Sequence, residues 1–193
     1  MTMHGFPYKK FRTLQHDKIE DALIKLFTSI YPRRVIEIGT AEGGLTLLIR
    51  SILDKIGLKD SQLTTYDILY EVELAYFIKM NDLNISYKIA DIFDKLDELG
   101  KLIQEDGPTV VFCDGGNKSK EFNVIAPLLK QGDVILAHDY TPNQTYFEAH
   151  TKKDWARYEI QDSDIVDICA INNLAPFKTE IMTPVVWACR RKQ

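Results

Sequence analysis

The sequence predicts an α/β fold in which a doubly wound, mostly parallel sheet is closed by a C-terminal antiparallel hairpin. Three observations predict it. Short apolar runs alternate with segments of helical spacing between residues 17 and 139, an order typical of parallel sheets covered on both faces. A glycine-rich turn follows the first apolar run, and the chain closes on two apolar runs joined near Thr183 and Pro184.

The elements follow from apolar spacing along the chain. Residues 1–16 are predicted to form an irregular N-terminal arm, and residues 17–31 a leading helix that ends before Pro32. The five parallel strands are predicted over residues 34–38, 63–67, 85–91, 109–114 and 134–139. The helices between and after them are predicted over residues 45–56, 71–82, 93–104, 118–130 and 163–174, and the hairpin strands over 177–181 and 185–190. These elements predict one continuous domain over residues 1–193.

Composition excludes several classes of protein. The 193 residues are 45% hydrophobic and 27% charged, which is ordinary for a globular domain, and the net charge of −4 disfavours a broad grip on nucleic acid. We find neither an apolar run of membrane-spanning length nor a signal peptide. The three cysteines are far apart and form no CxxC pair. Cys113 and Cys189 lie in apolar runs, which predicts buried thiols and suits a reducing compartment. We therefore expect a cytoplasmic protein.

Every predicted parallel strand ends at or near an acidic residue. These residues are Glu37, Asp67, Asp91, Asp114 and Asp139, the last preceded by His138. Loops favour aspartate in general, but ligands of such sheets bind beyond the carboxyl ends of the strands, where all five acids lie. The pattern predicts a ligand site along this edge.

The first turn restricts the class of ligand that this edge can bind. Its sequence over residues 37–44 is Glu-Ile-Gly-Thr-Ala-Glu-Gly-Gly. A dinucleotide fingerprint would have glycine in place of Ala41, and no Walker lysine follows. The carboxylate of Glu37 would also repel a pyrophosphate. Asp67 follows Gly44 at about the 20-residue offset at which an acid accepts hydrogen bonds from ribose. The turn predicts a nucleoside ligand that carries a cationic amino-acid part.

These motifs together resemble the class I S-adenosylmethionine-dependent methyltransferases, a Rossmann-like fold, over about residues 17–193. Within that superfamily, Phe-Cys-Asp-Gly-Gly-Asn over 112–117 and Leu-Leu-Lys-Gln-Gly-Asp-Val-Ile-Leu-Ala-His-Asp over 128–139 are similar to small-molecule O-methyltransferases. The nearer groups are those of cephalosporin biosynthesis and macrolide sugars, and the catechol type is more distant. The resemblance implies S-adenosylmethionine as cofactor and O-methylation of a hydroxylated small molecule or sugar.

The resemblance also implies cofactor-binding roles. The glycine-rich turn would face the methionine part, with Glu37 holding either the turn or the amino group. Asp67 would bind the ribose, Asp91 and the backbone of Ile92 would lie at the adenine edge, and Asp114 would close the pocket toward the substrate. The implied residues are Glu37, Gly39, Thr40, Ala41, Gly43, Gly44, Asp67, Asp91, Ile92 and Asp114.

Metal-dependent members of the family hold Mg²⁺ with an acid after the fourth strand and two ligands after the fifth. Asp114, His138 and Asp139 match these positions. Because Mg²⁺ prefers oxygen ligands, His138 favours another divalent metal or none. The catalytic candidates are Asp114 as an orienting acid, His138 as general base or third ligand, and Lys118 as an outside candidate for the base. Lys118 lies four residues after the acid, whereas the catechol type has its lysine three residues after it.

Three functions stay open at this point: a small-molecule O-methyltransferase, a methyltransferase for a macromolecular or nitrogen acceptor, and a non-catalytic cofactor-binding module. Residues 114–117 replace the [N/D]-P-P-[Y/F] motif of nucleobase amino methyltransferases. We expect a small-molecule acceptor, no nucleic acid and no membrane, and we leave a homo-oligomer open. The acceptor would face residues 1–16 and 140–162. Four aromatic residues there either wall its pocket or pack their own loop: Tyr140, Tyr146, Phe147 and Trp155.

Overall fold

The computed structural model describes residues 11–193. Its strands are β1 (Arg34–Ile38), β2 (Gln62–Asp67), β3 (Ile85–Ile89), β4 (Thr109–Cys113), β5 (Val134–Ala137), β6 (Tyr140–Thr141), β7 (Ile160–Gln161), β8 (Leu174–Pro176) and β9 (Ala188–Lys192). Seven of them form one sheet in the order β3-β2-β1-β4-β5-β9-β8, and β6 pairs with β7 apart from it. Strands β1 to β5 are parallel, and β9 runs antiparallel to β5 and β8.

The α-helices are α1 (Ile19–Ile30), α2 (Gly44–Lys55), α3 (Val72–Met80), α4 (Leu96–Gln104), α5 (Lys118–Ile125), α6 (Gln144–Tyr146), α7 (Asp162–Ile171) and α8 (Thr179–Met182). Three 3₁₀ turns lie at Ile92–Asp94, Ala126–Leu128 and Thr183–Val185, and Phe147–Thr151 forms one π-helical turn. Within residues 11–193, no helix combines the length and the apolar character needed to cross a membrane.

The sheet is covered on both faces, as the sequence predicts. Along β1, Val35 packs into a core formed with α1 and α2, whereas Ile36 and Ile38 pack into a second core formed with α4, α5 and α7. This alternation is the period of two that a strand imposes on its side chains. Cys113, Cys169 and Cys189 are buried and free, which confirms the burial predicted for Cys113 and Cys189.

The C-terminal antiparallel pair is confirmed, but its predicted strand bounds are wrong. Residues 177–181 are not a strand: Leu174–Pro176 pairs with β9, and the chain then turns at Lys178 (φ 51°) into α8. A second left-handed residue, Val186 (φ 63°), returns the chain to β9. The apolar spacing alone did not predict these two reversals of the backbone.

At the other end, α1 begins at Ile19 inside the predicted range. Of the irregular arm predicted over residues 1–16, residues 1–10 lie outside the described part of the chain.

Candidate active site

The turn between β1 and α2 depends on glycine at two close approaches. Gly39 has φ +93°, and a Cβ there would overlap the carbonyl oxygen of Asp114, so the turn lies directly against the end of β4. Gly43 has φ +82°, and a Cβ there would overlap the side chain of Leu74 on α3. Both conformations favour a residue without a side chain. The turn is therefore fixed against two neighbouring elements.

Glu37 lies beneath this turn and is fully buried. The hydroxyl of Thr46 on α2 donates to its Oε2, and Oε1 has no hydrogen-bond partner within the described part of the chain. Burial raises the pKa of Glu37 to about 8, although the hydroxyls of Thr46 and Thr65 partly oppose the shift. The side chain ties β1 to α2, so its contact is with the element that begins at the turn.

Asp67 connects the ends of β2 and β1. Its Oδ2 accepts from the backbone N–H of Ala41 at 2.8 Å, and its Oδ1 accepts from the backbone N–H of Leu69 at 2.9 Å. Each carboxylate oxygen keeps a further lone pair for a ligand hydroxyl. At the end of β3, Asp91 accepts from the N–H of Phe93 at 2.9 Å and Ile92 is buried.

Three candidate metal ligands meet where β4 and β5 end. These strands pair in parallel with Cys113 opposite Ala137, so the residues that follow them are neighbours. His138 Nδ1 lies 2.9 Å from Asp114 Oδ1 and 3.9 Å from Asp139 Oδ1. One ligand atom from each of the three residues lies within 4.8 Å of the others.

Two tryptophans enclose this acid cluster, which we define as Asp114, His138 and Asp139. Trp187 stacks on the imidazole with ring centroids 4.6 Å apart, and the indole N–H of Trp155 donates to Asp139 Oδ1 at 2.7 Å. His138 Nε2 is buried without a hydrogen-bond partner among residues 11–193. Burial alone would raise the pKa of Asp139, but the net shift is downward because His138, Lys118 and Trp155 favour its carboxylate.

Lys118 begins α5 and points its ammonium group at the cluster. Its Nζ lies 2.8 Å from Glu159 Oε2 and 3.2 Å from Asp139 Oδ2. Burial alone would lower the pKa of Lys118, but Glu159, Asp114 and Asp139 outweigh it and the pKa is raised. The lysine therefore stays protonated at neutral pH.

The N-terminal segment, residues 12–18, crosses the site. A Cβ on Gly44 would overlap the backbone of Arg12, so the segment passes directly over the first residue of α2. The side chain of Gln15 is buried, accepts from Trp187 Nε1 at 2.9 Å and donates to Asp114 Oδ2 at 2.9 Å. One glutamine thus joins the arm, the C-terminal strand region and the acid cluster.

A cleft of about 1030 Å³ opens between the N-terminal segment and residues 153–159. The predicted site residues on its wall are Gly39, Thr40, Ala41, Asp114, Lys118, His138 and Asp139. The predicted residues that do not line it, within the described chain, are Glu37, Gly43, Gly44, Asp67, Asp91 and Ile92. Of the four aromatic residues expected near the acceptor, Trp155 lines the cleft. Tyr140 is buried in the core beneath α4, α5 and α7, Phe147 is buried against Tyr158, and Tyr146 packs against His150.

The sequence did not reveal three residues of this site: Gln15, Glu159 and Trp187. Gln15 belongs to a segment without a motif, and Glu159 to a polar loop, so neither carries a signal that pattern analysis could use. Trp187 fell inside a predicted core strand.

The donor set fits a divalent cation by its spacing, since two carboxylates and an imidazole converge. The same atoms are engaged within the protein, because Asp114 bonds His138 and Gln15 while Asp139 bonds Trp155 and faces Lys118. Of the glycine-rich turn, Gly39, Thr40 and Ala41 line the cleft and are available to a ligand, whereas the space beside Gly43 and Gly44 is filled by Leu74 and Arg12.

Several solved structures share this fold. The chain is similar to the apo structure of CmcI, with 15% identity, a TM-score of 0.65 and coverage of 94% of this chain and 73% of that one. A Mg-SAM form of CmcI gives 16% identity, a TM-score of 0.61 and coverage of 94% and 74%. TomG from Streptomyces achromogenes, an O-methyltransferase involved in tomaymycin synthesis and solved in complex with SAM, gives 14% identity, a TM-score of 0.53 and coverage of 92% and 81%.

These TM-scores establish a shared fold, although the identities are low, and they confirm the fold class predicted from the sequence. No family model and no curated protein matches the chain.

Proposed function

We propose that this chain is an S-adenosylmethionine-dependent O-methyltransferase for a small hydroxylated molecule or a sugar. The observation that carries the proposal is that one cleft is lined both by Gly39, Thr40 and Ala41 of the glycine-rich turn and by the acid cluster. The name of one fold neighbour, the O-methyltransferase TomG, and the SAM-bound forms of TomG and CmcI support it.

The cofactor supplies an electrophilic sulfonium methyl group when bound. Gly39, Thr40 and the turn through Gly44 would hold its methionine part, and Asp67 its ribose. Asp91 and the backbone of Ile92 would border the adenine. Glu37 would support the turn from below and would not contact the cofactor directly, because its side chain is buried and bonded to Thr46.

The acceptor would enter beside the acid cluster, where the chain must orient a hydroxyl and take its proton. The Asp114–His138 pair is suited to this, because both residues line the cleft and the imidazole Nδ1, 2.9 Å from Asp114 Oδ1, can orient the carboxylate toward the hydroxyl. Lys118 is less suited as a base because its neighbours raise its pKa. Asp114, His138 and Asp139 would hold a divalent ion, which when bound would lower the pKa of the acceptor hydroxyl.

The test starts with calorimetric titration of S-adenosylmethionine and S-adenosylhomocysteine, once with Mg²⁺ and once with chelator. We expect micromolar binding. A chain that binds neither compound under either condition would contradict the proposal.

The free cysteines also support a reducing, cytoplasmic location for the reaction.

The Asp139→Asn variant then separates transfer from binding. Asp139 has φ 53°, a conformation that asparagine tolerates, so the change removes charge with little cost to the backbone. We expect methyl transfer to a panel of phenols, catechols and sugars to fall by about 100-fold or more while cofactor affinity is kept. Unchanged transfer would remove the acid cluster from the mechanism, and cofactor binding without transfer in wild type would identify a non-catalytic module.

A further inference from the structure

The Lys118 ammonium group lies among oxygen atoms from four residues. They are Glu159 Oε2 at 2.8 Å, Asp139 Oδ2 at 3.2 Å, the Gly115 carbonyl at 3.2 Å and Asp114 Oδ1 at 3.9 Å. A buried cation surrounded by carboxylates in this way already neutralises part of their charge.

The position of Lys118 in its helix makes this placement informative. It is the first residue of α5, where the helix dipole disfavours a cation, and its side chain is only 8% exposed. Lysine is rarely buried unless it is paired. The carboxylates around it, rather than its helix, therefore account for its place. Glu159 is held in turn by its backbone N–H, which donates to the carbonyl of Asp139 at 2.8 Å.

Two of the three candidate metal ligands are also neighbours of this ammonium group. Asp139 Oδ2 faces Lys118, and its Oδ1 accepts from Trp155, so both of its oxygens are engaged. A divalent ion bound to Asp114 and Asp139 at ordinary ligand distances would lie beside the ammonium group, and the two cations would repel each other.

We propose that Lys118 is the resident cation of the acid cluster and competes with divalent metals for it, so that metals bind only weakly while the ammonium group is in place. Only the importance of this competition for methyl transfer rests on the proposed function. The test of the competition itself uses metal binding, which needs neither cofactor nor acceptor.

The experiment is a titration of the purified chain with Mn²⁺, followed by calorimetry and by the electron paramagnetic resonance of free Mn²⁺. We expect millimolar binding to wild type. Lys118→Met should bind about tenfold more tightly or better, because the repulsion is gone. Lys118→Arg keeps the charge and should bind as weakly as wild type. The matched control is Lys120→Met on the same helix, where the exposed ammonium group lies over the Phe93 ring, and its affinity should not change.

Micromolar Mn²⁺ binding to wild type, or equal affinity in wild type and Lys118→Met, would overturn the proposal. If Lys118→Met does not fold, amine labelling of wild type with peptide mapping gives the answer: saturating Mn²⁺ should increase labelling of Lys118 relative to Lys120. Unchanged labelling would overturn it too. Because S-adenosylmethionine is titrated separately, loss of cofactor binding would contradict the proposed function alone.

Discussion

At the carboxyl ends of β1 to β3 the proposed site depends mainly on the backbone, whereas at the ends of β4 and β5 it depends on side chains from distant segments. The first region, the turn region, comprises residues 37–44, Asp67 and Asp91, and its bonds run largely to nearby main-chain N–H groups. The second, the acid region, joins the acid cluster to Gln15 and Glu159.

The difference shows how each region tolerates change. In the turn region, shape depends on residues without side chains, so an added carbon atom is the severe perturbation. In the acid region, shape depends on matched charges and hydrogen bonds, so the loss of one partner leaves another unsatisfied.

The largest effect that would test this comparison is expected from Gly39→Ala. The new Cβ would overlap the Asp114 carbonyl at a φ of +93°, so the variant should lose about 3 kcal/mol or more of unfolding free energy and bind S-adenosylmethionine far more weakly. Denaturant unfolding and calorimetry measure the two effects.

Gly116→Ala is the matched control, since a Cβ there meets nothing within 4 Å. Its unfolding free energy should stay within about 0.5 kcal/mol of wild type. Equal effects of the two substitutions would show that the close approach at Gly39 does not govern the turn.

The same distinction explains what the sequence could predict. The order of strands and helices, the turn at Gly39 and the acids after each strand all follow from local patterns. The meeting of Asp114 with His138 was also predictable, because adjacent parallel strands end together. The reversals at Lys178 and Val186 were not, because nothing in their residue types favours a left-handed backbone.

An intermediate effect is expected from Glu37→Gln, which imitates the protonated side chain beneath the turn. Because burial raises the pKa of Glu37 to about 8, its contribution to stability is complete below the unfolded pKa of 4.5 and is lost as the pH rises through 8. The amide keeps an oxygen that can accept from Thr46. At pH 8 the variant should be more stable than wild type by an amount on the order of 2 kcal/mol, and by less near pH 5.

Thermal and denaturant unfolding at both pH values would measure this margin, with the exposed Glu180→Gln as control. The raised pKa would be contradicted if the difference in unfolding free energy between Glu37→Gln and wild type did not depend on pH. It would also be contradicted if Glu180→Gln gave the same difference.

Gln15 is the counterpart in the acid region, and no local pattern could have found it. Its partners Asp114 and Trp187 lie 99 and 172 residues further along the chain, and glutamine in an irregular segment carries no periodic signal. Only the folded arrangement makes it a link between the two ends of the chain.

The smallest of these effects is expected from Gln15→Leu, which keeps the approximate size of the side chain but removes both hydrogen bonds. The buried indole N–H of Trp187 then lacks its acceptor, so we expect a loss of about 1 kcal/mol and faster tryptic cleavage after Arg12 and Lys18. Gln104→Leu, whose amide donates to the Leu128 carbonyl at an exposed position, should change neither quantity appreciably. If cleavage of Gln15→Leu stayed at the wild-type rate, the N-terminal segment would be held by the packing of its backbone against Gly44. The acid region would then depend on backbone packing, as the turn region does, and not on the side chain of Gln15.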